Sequence, residues 1–63
     1  MATDRSELSS LAALLDQVTT RIAAIAQDAA GRRDDSLAGE LFVIERSLSA
    51  AGRRLERLVS PRR

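Results

Sequence analysis

The sequence predicts an all-α protein, an antiparallel two-helix hairpin that is expected to pair into a four-helix bundle. In each half of the chain, large apolar residues recur at alternating steps of three and four, the spacing of a helix that packs along a narrow stripe. The step between the two stripes, from Ala29 to Leu37, is eight residues, so one continuous helix could not keep both on one face. This alternating spacing of apolar residues is interrupted only in the stretch "AAGRRDDSLAGE", which indicates a bend there.

The first helix is predicted over residues of about 5–30. Asp4, followed three residues later by Glu7, is typical of a capping box at a helix start. The stripe of this helix runs on to Ala29, and its large members are Leu8, Leu11, Leu15, Val18, Ile22 and Ile25.

The turn is predicted at residues 31–35 and the second helix at about 36–60. Gly31 suits the left-handed position that follows many helix ends. Asp34, Asp35 or Ser36 can cap the second helix, and Ser60–Pro61 ends it because the residue before proline is pushed out of helical geometry. Apart from Ala51, the stripe of this helix consists of Leu37, Leu41, Ile44, Leu48, Leu55 and Leu58.

The two stripes fit each other as an antiparallel pair. When Leu11 is set opposite Leu55 and Ile25 opposite Leu41, the residue numbers of every pair add up to 66, and the midpoint falls in the bend. We therefore expect residues 1–63 to form a single helical hairpin whose core is made of the large residues of both stripes.

A chain of 63 residues is near the length at which one hydrophobic core is barely sufficient, and the lack of cysteine excludes disulfide support. A row of small residues beside the stripe would let a second layer of helices approach closely. We expect a homodimer, with a heterologous protein partner as the alternative. The expected oligomer interface consists of Ala12, Ala26, Ala38, Phe42 and Gly52.

Catalysis has few candidate groups, because histidine, cysteine, lysine and tyrosine are all absent. Only carboxylates could serve as general acid or base. Asp28 and Glu40 are expected to approach each other near the turn and are the best candidates for a carboxylate pair. No further histidine or carboxylate is expected to join them as a metal ligand. We expect no enzymatic activity, no metal and no cofactor.

The arginines are the remaining candidates for binding anions or a partner. Arg32 and Asp35 match a short RxxD signature found in cyclic dinucleotide sites, and two adjacent arginines could dock a phosphate, but a solvated turn is the favoured interpretation. The segment "GRRLERLVSPRR" could contact nucleic acid, which is disfavoured because no aromatic residue is interleaved for base stacking. The candidate contacts are Arg32, Arg33, Arg53, Arg54 and Arg57.

The predicted architecture resembles that of the Rop family of RNA-binding plasmid regulators, which are dimers of helical hairpins. The resemblance is limited to the fold. RNA binding of the Rop type uses a basic outer face of the first helix, whereas here that face has no cation except Arg21 at its edge. The residues of this face are Ser10, Ala13, Gln17, Thr20, Ala24 and Gln27. The segment "ERSLSAAGRRLERL" is similar to the arginine-bearing helices of small anti-sigma factors, without their dinucleotide-binding spacing.

The expected function is therefore a non-enzymatic protein–protein interaction module, a self-associating hairpin that acts as a small adaptor or regulator. The alternative is a Rop-like or anti-sigma-like regulator that binds nucleic acid or a nucleotide through arginines of the second helix or the turn. No apolar run is long enough to span a membrane and no signal peptide is visible, so a cytoplasmic location is expected. The use of arginine without lysine points to a GC-rich bacterial genome.

Overall fold

The computed structural model describes residues 5–59, which form two α-helices. Helix α1 spans Arg5–Gly31 and helix α2 spans Asp35–Val59. The two helices pack against each other as a hairpin, and residues 5–59 contain no strand. The predicted all-α helical hairpin is thus confirmed. The predicted signals at Asp4 and at Ser60–Pro61 lie outside the described residues.

A Schellman motif ends α1. The amide of Arg33 donates to the carbonyl oxygen of Ala30 at 3.0 Å, and the amide of Asp34 donates to that of Ala29 at 2.9 Å. Arg33 is the left-handed residue, with φ of 69°, whereas Gly31 has no positive φ. The expectation that Gly31 takes this position is therefore wrong, because α1 continues through Gly31 and turns only two residues later.

Asp34 begins α2 as its N-cap residue. Its Oδ1 accepts a hydrogen bond from the amide of Leu37 at 3.3 Å, and its carbonyl accepts one from Ala38 at 3.0 Å. The side chain thereby satisfies one of the four amides that have no partner within the helix. Of the three residues that the sequence offered as caps, Asp34 is the one that the structure uses.

The hairpin is closed by a row of small residues. The buried residues are Ala12, Thr19, Ala26 and Ala29 on α1 and Ala38 on α2. Together with half-buried neighbours they form two rows with alternating steps of three and four, which we call the seam. The seam consists of Leu8, Ala12, Leu15, Thr19, Ile22, Ala26 and Ala29 on α1, and Ala38, Leu41, Glu45, Leu48, Gly52, Leu55 and Val59 on α2.

The seam corrects the predicted hairpin core. Six of the predicted core residues are half-buried and belong to the seam, namely Leu8, Leu15, Ile22, Leu41, Leu48 and Leu55. The other six are exposed, namely Leu11, Val18, Ile25, Leu37, Ile44 and Leu58. On α1, the small residues Ala12, Thr19 and Ala26 lie in the seam where Leu11, Val18 and Ile25 were expected. On α2 the replacements are of mixed size, namely Ala38, Glu45 and Val59 in place of Leu37, Ile44 and Leu58. The small side chains let the two helices approach closely.

The contact between Gly52 and Leu15 sets the register of the seam. A Cβ atom on Gly52 would lie 3.8 Å from Cδ2 of Leu15. Continued along both helices, this register places Ala12 opposite Leu55 and Ala26 opposite Leu41. Large residues of one helix thus face small residues of the other, which is the complementarity that close packing requires.

Polar groups in and beside the seam are satisfied locally. Thr19 Oγ1 donates to the carbonyl oxygen of Leu15 at 2.7 Å, and Ser49 Oγ donates to Glu45 Oε2 at 3.1 Å. Within residues 5–59, no buried side-chain nitrogen or oxygen lacks a hydrogen-bond partner. The seam therefore accepts threonine and glutamate without the cost of an unpaired buried group.

The open end of the hairpin is tied by Arg5. Its Nη1 donates to the carbonyl oxygens of Leu58 at 3.3 Å and Val59 at 3.2 Å, in the last turn of α2. A cation at a helix C-terminus is favourable because the last carbonyls carry partial negative charge. Neither described helix has a stretch apolar enough, over enough residues, to cross a membrane.

Candidate interaction surfaces

One side of the hairpin carries most of the exposed large hydrophobic residues of residues 5–59. On each helix these residues lie directly beside the half-buried leucine and isoleucine positions of the seam. Because the helices run antiparallel, the two rows fall on the same side of the molecule. We call this surface the apolar face; it consists of Leu11, Leu14, Val18, Ile25, Leu37, Ile44 and Leu58.

The apolar face is large for a chain of this size. Of the eight large hydrophobic residues that are exposed among residues 5–59, seven lie on it, and the eighth, Val43, points away from α1. Ile25 is 54% exposed and Leu58 is 64% exposed. Contiguous apolar surface of this kind marks interaction sites on proteins, whereas single exposed hydrophobic residues do not.

The total surface area is large for the mass of the chain. The chain of 6.8 kDa exposes 4976 Å². A compact monomer of that mass would expose about 4,000 Å². The excess of about 1,000 Å² follows from the elongated shape of a hairpin of two helices, which measures 48 × 18 × 16 Å.

Charged residues line the two long edges of the apolar face. On α2, Glu40, Ser47 and Arg54 recur every seven residues and form one edge, while Arg21 and Asp28 lie on the corresponding edge of α1. All five residues are exposed. The apolar face is therefore a hydrophobic centre with a polar rim, as in typical protein interfaces.

The opposite side of the hairpin carries a shallow polar groove of about 180 Å³. Arg53, Asp16 and Glu56 contribute charged groups to it, together with Ser49. No salt bridge joins Arg53 to Asp16 in the part of the chain that the structure describes. The groove is open and holds no converging set of donors, and residues 5–59 contain no cluster of three acidic, cysteine or histidine side chains that could hold a metal ion.

The turn arginines do not converge on a common point. Arg32 Nη2 lies 3.1 Å from Asp28 Oδ2, in a salt bridge that is exposed on both sides. Arg33 is exposed, and its conformation ends α1. Arg32 is thus already paired within its own helix turn, and the surroundings of both residues are those of a solvated turn.

The arginines of α2 form a separate group at the other end of the molecule. Arg53, Arg54 and Arg57 are exposed in the last two turns of the helix. At 1.5 Å per residue, this group lies about 30 Å from the turn arginines. The five arginines that the sequence offered as contacts for an anion or a partner are therefore not brought together into one patch.

The small residues predicted as an oligomer interface lie inside the hairpin. Ala12 is 7% exposed, Ala38 is 4% exposed and Ala26 is fully buried, while Phe42 and Gly52 are half-buried. The chain's own second helix covers the three alanines, so they have little surface left for another chain. These three alanines, expected at an oligomer interface, thus help to close the hairpin, while half of the residues expected in its core are exposed. The seven-residue spacing of Ala12, Thr19 and Ala26 is the sequence signal that could have indicated the seam. Leu14 was not predicted as part of an exposed face, because it lies outside the predicted stripe of large apolar residues on the first helix.

Comparison of the chain with protein-family models, with curated proteins and with solved structures finds no match. The surfaces of the hairpin are therefore the basis of the functional proposal.

Proposed function

We propose that the chain is a non-enzymatic protein–protein interaction module, a helical hairpin that associates through its apolar face and acts as a small adaptor or regulator. The observation that carries this proposal is the concentration of exposed large hydrophobic residues on one side of the hairpin. Burying them against another apolar surface is favourable by roughly 25 cal/mol per Å².

The proposed occupant of the apolar face is a second copy of the hairpin. In a two-fold symmetric dimer the same surface of each copy meets the other, so one apolar face would cover the other along its length. The four helices would then form a four-helix bundle.

The test is the oligomeric state of matched variants, measured by sedimentation equilibrium over a range of protein concentrations. Ile25→Glu places a carboxylate in the middle of the apolar face and should abolish dimer formation at micromolar concentration. Gln27→Glu adds a carboxylate two residues away, on the far side of α1, and should leave the dimer intact. A wild-type chain that remains monomeric at all concentrations would contradict self-association.

The same experiment separates a homodimer from a module that binds a different protein. If the wild-type chain is monomeric and well folded, its apolar face is left for a heterologous partner. If Gln27→Glu disrupts association as strongly as Ile25→Glu does, the interface does not lie on the apolar face.

A further inference from the structure

The charged edges of the apolar face determine how two hairpins would be arranged. We infer that they associate with their turns at opposite ends, so that α2 of one copy lies antiparallel to α2 of the other. This inference rests on the proposed self-association through the apolar face. It concerns a different property, the orientation of the second copy, and has its own test.

Glu40 and Arg54 lie at equivalent distances from the two ends of α2. Glu40 lies five residues after the start of the helix at Asp35, and Arg54 lies five residues before its end at Val59. When two α2 helices overlap along their whole length in antiparallel orientation, Glu40 of each copy is therefore level with Arg54 of the other. Two-fold symmetry gives this pair twice, and Ser47 then lies beside its own counterpart at the centre. On the α1 edge, Arg21 lies nearly level with Arg21 of the other copy, so two attractive pairs stand against one repulsive pair.

Both charged groups are free to make this contact. Glu40 and Arg54 are exposed on the edge of the apolar face, and neither makes a salt bridge within the described residues. Their seven-residue spacing from Ser47 keeps all three on the same edge. An ion pair at the rim of an interface contributes little to affinity but selects between alternative orientations.

The opposite arrangement, with both turns at the same end, brings like charges together. In the register set by Gly52 and Leu15, Asp28 on α1 is level with Glu40 on α2. Turns at the same end would place α1 of one copy beside α2 of the other, so that Glu40 would face Asp28 twice. Arg54 would then lie beside Leu14, with no carboxylate to pair with it.

The charge of the two ends of the hairpin favours the same orientation. Around the turn, four carboxylates outnumber two arginines, since Asp28, Asp34, Asp35 and Glu40 accompany Arg32 and Arg33. At the other end, within residues 5–59, four arginines outnumber two glutamates, since Arg5, Arg53, Arg54 and Arg57 accompany Glu7 and Glu56. Turns at opposite ends therefore set an acidic end against a basic end in both halves of the dimer.

Charge reversal provides the test. At low salt, Glu40→Arg and Arg54→Glu should each weaken the dimer by roughly tenfold, because two attractive pairs become repulsive. The double variant E40R/R54E should return to within about threefold of the wild type. Glu56→Arg, which makes the same change in net charge as Glu40→Arg but on the polar side of α2, is the control for that variant and should have little effect.

A distance measurement checks the arrangement independently. The chain has no cysteine, so Ala30→Cys provides a single site for a spin label near the turn. Turns at opposite ends place the two labels more than about 30 Å apart along the bundle, whereas turns at the same end bring them within about 25 Å.

The outcomes separate the two proposals. A dimer that Glu40→Arg tightens, with a short distance between the labels, would overturn the inferred orientation and leave self-association intact. A chain that is monomeric at every concentration would overturn both.

Discussion

Gly52 of α2 lies directly against Leu15 of α1, so close that an added Cβ atom would sit 3.8 Å from the leucine Cδ2 atom. This is an ordinary van der Waals distance, so the leucine packs on the backbone of the opposite helix without being compressed. The glycine is helical and has no positive φ, so its conformation does not require glycine. Its effect is to remove a side chain where the two helices meet.

The first prediction is that Gly52→Ala stabilises the hairpin by about 0.5–1 kcal/mol. Alanine lowers the conformational entropy of the unfolded chain and is a better helix former, and its methyl group fits against Leu15. Chemical denaturation at a fixed protein concentration measures the change in the free energy of unfolding.

Gly39→Ala is the matched control, because Gly39 is also in α2 and no atom lies within 4 Å of the position of its Cβ. It should give a similar gain from helix propensity alone. If Gly39→Ala stabilises the chain and Gly52→Ala destabilises it, the helices pack more tightly at Leu15 than the 3.8 Å contact indicates.

The periodicity of the sequence was sufficient to predict the hairpin, but it was compatible with two different rows of residues at the contact between the helices. The rows that contain Leu11 or Ala12 share Leu8 and Leu15, and both rows alternate steps of three and four. Size and hydrophobicity favoured the row with Leu11. The structure uses the row with Ala12 because it allows close contact between two helices and keeps the larger residues on one surface.

The turn shows a second limit of prediction from local residue preferences. Glycine is the usual left-handed residue after a helix, and Gly31 is the glycine nearest to the end of the first stripe. In the structure, the hydrogen bonds from Arg33 and Asp34 back to α1 fix the left-handed position at residue 33 instead. The left-handed position therefore falls two residues after the glycine, which the general preference for glycine at this position does not predict.

The second prediction follows from the left-handed conformation of Arg33. Because a residue with a Cβ atom is strained at φ of 69°, Arg33→Gly should stabilise the hairpin by about 1 kcal/mol. Arg33→Ala retains the Cβ atom and should change the stability by less than about 0.5 kcal/mol. Thermal unfolding of the two variants side by side measures the difference. Equal stability of the glycine and alanine variants would show that residue 33 is not strained.

The third prediction concerns the N-cap of α2. Asp34→Ala removes the acceptor of the Leu37 amide and should destabilise the hairpin by about 1 kcal/mol. Asp34→Asn retains an oxygen acceptor and should preserve most of the stability. Denaturation by urea is the measurement, and an asparagine variant as unstable as the alanine variant would indicate that the charge of Asp34, rather than its hydrogen bond, supports the helix.

The last prediction tests which row of residues closes the hairpin. Ala26 is fully buried in the seam, so Ala26→Leu would force the two helices apart and should cost about 1–3 kcal/mol. Ala24 lies two residues away on the exposed side of α1, and Ala24→Leu should change the stability by less than about 0.5 kcal/mol. If the helices instead met through Leu11, Val18 and Ile25, a leucine at residue 26 would lie beside the contact and would be tolerated. Urea denaturation of the two leucine variants, at one protein concentration so that association does not differ between samples, distinguishes the two arrangements. A similar stability for both variants would place the seam away from Ala26 and would remove the basis for regarding the larger hydrophobic residues as an unpartnered face.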